Sequence, residues 1–354
     1  MFNKGGAELQ VKYISEYLQK NGFSVDYLFI HQKEITLINC NIKMFGLKKM
    51  NILESLFGKI CYYFKVLDKL KEIHPDIIYH RNLSNFALPV IQYNKTRKIK
   101  SIIHLAHKND LEKLSLKGWN FVKSILDFYG RKNMIMKFDH IIAQAEYQDH
   151  LMNLNFNRRA SLIFKNIHPI PQEKSNKKVI KKIIWIANYK TWKQPEIFIN
   201  LAESCKMYDA EFIMIGRDEN NTISKMIKQK KLLYNLKYLG EMPLGKVNEI
   251  ISEAYLFINT SLDEGFPNTF IQSWMREVPV VSLNVDPDSV LVKNNIGLHS
   301  KTIHKLTEDV KYLINNEPER NRLAKFAKEY AITNHSKDKL IEFVKFIKDD
   351  QALL

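Results

Sequence analysis

The densest chemistry in this 354-residue chain lies in Asn259-Thr-Ser-Leu-Asp-Glu-Gly-Phe-Pro-Asn-Thr-Phe-Ile-Gln-Ser-Trp. Apolar residues lead up to Asn259 and a helical period follows Asn268, so the stretch reads as strand, polar turn and helix, with a second buried strand at Val278-Pro-Val-Val. Glu264 stands on the lip of the turn. A carboxylate only accepts hydrogen bonds, and its two oxygens suit the paired hydroxyls of a sugar ring. A helix opening near Asn268 aims free N–H groups and a positive dipole end at the same turn, which suits an anion such as phosphate. In a doubly wound sheet such a turn lies at the carboxyl ends of the strands, where ligands bind.

A second feature runs from Lys43 to Ile73, where seven lysines are interleaved with aromatic and aliphatic side chains. It reads as a basic amphipathic stretch that can lie on anionic lipid. The bland alternative is a core-facing helix with a solvated face. The whole chain carries 54 basic against 38 acidic residues, a net charge of +16. Residues 1–172 hold 26 basic and 14 acidic residues, so the excess sits in the first half. Such charge favours an anionic partner. No helix-turn-helix, RNP, zinc-finger or KH pattern accompanies it, which argues against nucleic acid. Cys40, Cys61 and Cys205 are odd in number and lack CxxC spacing, so neither a disulfide framework nor a thiolate metal site is indicated. No carboxylate pair suggests a metal either. The first residues hold no apolar segment of signal-peptide type, and no run of about 18 apolar residues follows, so a cytoplasmic or peripheral protein is expected.

The elements that must position these residues alternate strand and helix, which indicates an α/β protein of parallel sheets covered by helices. The predicted strands are 24–30, 76–79, 100–104, 140–143 and 161–164 in the first half. In the second half they are 182–187, 211–215, 236–239, 255–259 and 278–283. Between the halves, His168-Pro-Ile-Pro followed by a polar tail reads as the linker. Domains are expected at 1–170 and 171–335, and from Thr302 onward the pattern is helical. Only four residues precede Gly5-Gly6. An α/β domain usually opens with a strand before its first Gly-rich turn, so either the first sheet has an incomplete edge or the sequence begins downstream of the true start.

From Glu264-Gly-Phe-Pro-Asn to Val281 the sequence resembles the group 1 (family 4) retaining glycosyltransferases of the GT-B fold. Gly5-Gly-Ala-Glu matches that family's first Gly-rich turn, and the order of strands, linker and terminal helices agrees along nearly the whole chain. The resemblance implies two Rossmann-like doubly wound domains facing across a cleft, with residues 336–354 returning to complete the first. It implies that Glu264 contacts the donor sugar, with Gly265, Phe266 and Asn268 beside it. The family's second glutamate falls on Gln272, which can bond ribose hydroxyls through its amide but brings no charge. Lys193 matches the family lysine that receives the donor diphosphate, and Lys190 stands in for the usual arginine. A lysine gives a point charge without the arginine fork. His104, with His107 as second choice, matches the histidine presented toward donor and acceptor. Gly5 and Gly6 would let the backbone approach the diphosphate or the acceptor closely.

The implied partners are a nucleotide-diphosphate sugar and a saccharide or lipid-linked saccharide acceptor, with no cofactor and no metal. The implied activity is metal-independent transfer with retention, in synthesis of a bacterial surface polysaccharide such as capsule or lipopolysaccharide. The alternatives are a non-catalytic sugar-nucleotide-binding subunit and a GT-B sugar-nucleotide epimerase.

Overall fold

The computed structural model describes residues 6–31, 33, 35–39, 42–48, 55–84, 86–106, 108–112, 119–172, 180–218, 220–229 and 233–349. The chain divides into two compact units, one of Phe2–Lys165 with Leu340–Leu354, the other of Asn166–Lys339.

The first unit holds α1 (Gly6–Lys20), β1 (Asp26–His31), β2 (Ile35–Asn39), β3 (Ile42–Lys48), α2 (Ser55–Ile73), β4 (Ile77–Arg81) and α3 (Ala87–Arg97). It continues with β5 (Lys100–His104), α4 (Trp119–Ile135), β6 (His140–Ala143), α5 (Glu146–Phe156) and β7 (Leu162–Ile163). Its described strands form two sheets. One is the parallel run β4-β5-β6-β7, and the other is β1-β3-β2, in which β1 is parallel and β2 antiparallel to β3. Both lean on one core, in which Leu28 and Leu47 meet Val66, Ile103, Phe128 and Ile141. Strand β5 is buried at every position, as expected for an inner parallel strand covered on both faces.

The amphipathic stretch from Lys43 to Ile73 is corrected here, because it is not one element. Ile42 and Met44 point inward while Lys43 and Lys48 point out, the period of a strand. The helical part begins at Ser55. On α2, Tyr62, Val66 and Leu70 recur every fourth residue and are buried, so that face belongs to the core. On its outer side Lys69 pairs with Glu72 and Lys71 with Asp68.

The second unit holds β8 (Lys181–Ile186), α6 (Pro195–Ser204), β9 (Ala210–Ile215), α7 (Thr222–Gln229), β10 (Leu236–Tyr238), α8 (Leu244–Glu253) and β11 (Ala254–Asn259). Then come α9 (Asn268–Trp274), β12 (Val280–Ser282), α10 (Val290–Lys293), β13 (Gly297–His299), α11 (Ile303–Asn315) and α12 (Glu317–His335). All six strands are parallel, in the order β10-β9-β8-β11-β12-β13. The chain therefore winds outward from β8 in one direction and from β11 in the other. The switch of direction falls between β8 and β11, and a doubly wound sheet opens its ligand crevice at the carboxyl ends of those two strands. Side chains such as Ile183, Trp185, Phe212, Leu256 and Ile258 pack one face of the sheet against α6 and α11. Thr302 and Asn316 cap α11 and α12, accepting from Lys305 N and Glu319 N.

The expected linker is corrected in its first part. His168 is 3% exposed, its N–H donates to His335 O at 2.7 Å, and it bridges Ser336 in parallel fashion. Residues 173–179 lie outside the described residues. The last helix, α13 (Leu340–Asp349), belongs to the first unit. Its Phe343 ring meets Tyr79 at 5.5 Å and Phe164 at 5.2 Å. The buried Lys100 donates to Phe346 O and Ile347 O near the end of α13, where unpaired carbonyls attract a cation.

Candidate functional site

Two turns build the site at the switch point of the second unit. The first leaves β8 through Ala187-Asn-Tyr-Lys and closes in a 3-10 turn, Thr191–Lys193, before α6. The second leaves β11 at Asn259 and runs through Glu264 to α9. They are stitched together by three hydrogen bonds. Trp185 Nε1 donates to Thr260 Oγ1 at 2.9 Å, Thr260 Oγ1 donates to Lys193 O at 2.6 Å, and Leu262 N donates to Trp192 O at 2.8 Å. Thr260 is fully buried, so both its bonds are made away from water.

Glu264 and Lys193 meet in this frame. The carboxylate Oε2 lies 2.8 Å from Lys193 Nζ, and both side chains are 19% exposed. The other oxygen, Oε1, accepts from Asn259 Nδ2 at 2.9 Å and from Ser261 Oγ at 2.7 Å. Asn259 is in turn oriented by Ser261 N, which donates to its Oδ1. The carboxylate is thus held by the end of β11, by its own turn and by the turn after β8. One oxygen is fully engaged in positioning. The other faces a cation that a stronger anion can draw away, which frees it for a hydroxyl donor.

Lys190 is exposed, with its ammonium 5.9 Å from the Trp192 ring centre. It lines a pocket of about 240 Å³ with Asn188, Tyr189, Thr191, Arg217 and Asn220. Gly265 and Phe266 are buried, and the Phe266 ring packs against His335 at 5.0 Å and Trp274 at 6.2 Å. Phe266 O accepts from Asn166 Nδ2. The phenyl ring therefore supports the turn from below. Asn268 opens α9 with its Oδ1 3.3 Å from Nε2 of His168, whose pKa burial lowers to about 3. Gln272 is 6% exposed on α9, and its carbonyl accepts from Arg276.

In the first unit, His104 ends β5 as expected, but its ring is enclosed at 0% exposure. Nδ1 lies 2.7 Å from the Tyr79 hydroxyl and 3.1 Å from Arg81 Nη1. Burial, aided by the Arg81 charge, pushes its pKa well below the usual histidine value. This is a neutral imidazole in a polar knot under Phe164. Gly6 begins α1 and is exposed. Gly5 and His107 lie outside the described residues.

Sequence reasoning missed Asn259 and Ser261, which hold the carboxylate, and Arg217, which lines the same pocket as Lys190. The first two were legible as polar residues at a strand end. Arg217 was not, because only strand order brings it to this place.

With this geometry in view, residues 166–330 match the family model of the glycosyl transferases group 1. The matched unit belongs to that family, and the whole chain has the GT-B fold of its structural neighbours. An uncharacterized glycosyltransferase of Methanocaldococcus jannaschii is 25% identical over 268 residues, which cover 68% of this chain and 63% of that protein. The match thus spans less than two thirds of that relative's length. Among solved structures, sucrose-phosphate synthase of Thermosynechococcus elongatus superposes with a TM-score of 0.85 at 9% identity, covering 99% of this chain and 94% of the other. Anabaena HepE in complex with UDP and glucose gives 0.75 at 16% identity, covering 99% and 96%. At these identities the likeness establishes the fold.

Proposed function

We propose that the chain is a glycosyltransferase that takes a sugar from a nucleotide-diphosphate sugar and passes it, with retained anomeric configuration, to an acceptor hydroxyl. The observation that carries this reading is the Lys193–Glu264 pair at the switch point, held by Asn259 and Ser261. The family of the second unit and the UDP and glucose bound by the similar HepE support it.

In the resting site Lys193 and Glu264 neutralise each other. An arriving diphosphate draws the Lys193 ammonium toward itself, since it concentrates more negative charge than one carboxylate. Glu264 Oε2 is then free to accept a hydroxyl hydrogen bond from the donor sugar. As the bond from the anomeric carbon to the phosphate oxygen breaks, negative charge grows on the leaving diphosphate. Lys193 and Lys190 stand where they can stabilise it, and a hydrogen bond to a charged group is worth roughly 1.5–3 kcal/mol. Two cations carried on the turn after β8 would supply this charge, and we propose transfer without a metal. Outward lysines of α2, with Phe64 56% exposed beside Lys65, support contact with an anionic membrane surface. Among the described residues no helix is long and apolar enough to cross a membrane. Synthesis of a bacterial surface polysaccharide is the setting we propose, by analogy of family.

The test is transfer from UDP-, GDP- and ADP-sugars by wild-type enzyme and by Glu264→Ala, with and without EDTA. Transfer by the wild type that survives EDTA and disappears in Glu264→Ala is expected. Wild-type turnover in the variant would remove Glu264 from the mechanism, and loss in EDTA with recovery in magnesium would remove metal independence.

A further inference from the structure

The positive charge of the site does not come from the turn after β8 alone. Strand β9 pairs with β8 along Lys181–Ile186, so their carboxyl ends lie side by side. Immediately after β9 comes Gly216, at φ +148°, where an added Cβ would lie 1.8 Å from Ala187 O. Only glycine lets the two strand exits run this close. The next residue, Arg217, is clamped to the neighbouring turn from both sides. Its N–H donates to Asn188 Oδ1 at 3.0 Å, and its carbonyl accepts from Tyr189 N at 2.7 Å. Its Cα is therefore fixed relative to the turn that carries Lys190.

Arg217 and Lys190 line one pocket, and the other described lining residues are two amides, a tyrosine and a threonine. About 240 Å³ is less than the roughly 300–1,000 Å³ of pockets that bury a drug-sized ligand. It has room for a pair of phosphates with part of a nucleoside. Lys193, the other cation of the turn, faces Glu264.

We propose that Arg217 is a phosphate-binding residue of the donor site, holding the diphosphate with Lys190 across the carboxyl ends of β8 and β9. The inference rests on the nucleotide-sugar reading above. Its chemical content is the guanidinium fork, which grips two phosphate oxygens at once where a lysine offers a point charge. The fork that the turn after β8 lacks is supplied from the next strand.

The experiment is calorimetric titration of wild type, Arg217→Ala, Arg217→Gln and Arg217→Lys with UDP, GDP, ADP and inorganic pyrophosphate. Circular dichroism checks that each variant is folded. Loss of a charged hydrogen-bonding group predicts a Kd for the preferred nucleoside diphosphate raised about 10- to 150-fold in Arg217→Ala, similarly in Arg217→Gln, and less in Arg217→Lys. The salt dependence of Kd should also weaken in the neutral variants, which a purely structural arginine would not cause. Binding within twofold of wild type in folded Arg217→Ala would overturn the inference and leave the nucleotide-sugar reading standing. Arg217-dependent binding of pyrophosphate, with none of the three nucleotides bound, would support the phosphate site and sink the nucleotide-sugar reading. Absence of binding for every probe would sink both.

Discussion

Gly216→Ala isolates the device that brings two strand exits together. The added Cβ would meet Ala187 O at 1.8 Å, Ala187 C at 2.5 Å and Asn188 N at 3.1 Å. All three atoms are backbone, so no side-chain rotation relieves the clash. Either φ must leave +148°, or the β9 exit must retreat from β8. Holding alanine in so sparsely populated a region costs about 1–3 kcal/mol. Retreat threatens Ala187 N to Ile215 O (3.0 Å), Gly216 N to Gly240 O (2.9 Å), Tyr238 OH to Gly216 O (2.7 Å) and Tyr189 N to Arg217 O (2.7 Å). Each is worth about 1 kcal/mol net. Strain plus one or two lost bonds comes to about 2–5 kcal/mol.

At roughly 2–4 °C per kcal/mol for a domain of this size, the melting midpoint should fall by about 5–15 °C. Far-UV circular dichroism on heating reads this directly. Gly245→Ala is the matched control, since it lies in α8 with nothing within 4 Å of an added Cβ. A helical alanine there should be neutral or stabilise by up to about 1 kcal/mol. Because Arg217 follows Gly216, nucleotide affinity should drop in Gly216→Ala even well below its melting midpoint. An unchanged midpoint would refute the claim that the close approach of β8 and β9 requires glycine.

Thr260→Val keeps the shape of a buried side chain but leaves Trp185 Nε1 and Lys193 O without their shared partner, so it should cost about 2–4 kcal/mol in chemical denaturation; a loss below about 0.5 kcal/mol would mean the stitch is not structural. Lys193→Ala should weaken nucleoside diphosphate binding by about tenfold or more, and unchanged affinity would reassign that lysine to a merely structural partner of Glu264. Burial holds His80 down to about pKa 4 and His168 to about 3, and pushes His104 well below 6.5. As pH falls through 6.5 the unfolded chain takes up protons that these folded imidazoles refuse, so their stabilisation is complete above 6.5 and is lost on acidification. Between pH 6.5 and 5 the loss is on the order of 2 kcal/mol for each of His80 and His168, and a denaturation midpoint that is flat over that range would refute their burial as neutral rings.

The second unit was legible in sequence because a parallel sheet covered on both faces writes its strands as short unbroken apolar runs. Lys181-Lys-Ile-Ile-Trp-Ile and Ala254-Tyr-Leu-Phe-Ile-Asn need no partner to be recognised. Strand β13 escaped because Gly297–His299 is three residues long and borrows its order from β12. Strand β3 escaped for a different reason. Its lysines and aromatics also fit the helical spacing of the residues after it, and only pairing with β1 and β2 selects the period of two. His168 was read as linker because Pro-x-Pro disrupts local structure. Its partners, His335 and Ser336, are remote in sequence, where local pattern carries no information.

The site divides in the same way. Lys193 stood out because the family resemblance places a lysine after the first strand of the second unit, and Glu264 because it sits in a local pattern of strand, turn and helix. His104 sits in one too, yet a histidine ending an apolar strand is equally a ligand contact or a buried ring, and the choice depends on Tyr79, Arg81 and Phe164 closing over it. Arg217 lies in Ile213-Met-Ile-Gly-Arg-Asp, which by itself is a strand running into a charged surface loop. What moves it beside Lys190 is the order β9-β8 and a glycine at positive φ. This ranks the two cations. Lys190 is exposed on a flexible stem, whereas Arg217 is half-buried and clamped through its own N–H and carbonyl. A side chain whose Cα is already fixed and which is partly enclosed loses less freedom on gripping an anion. Loss of Arg217 should therefore cost more donor affinity than loss of Lys190, and equal losses would show that the clamp contributes nothing to binding.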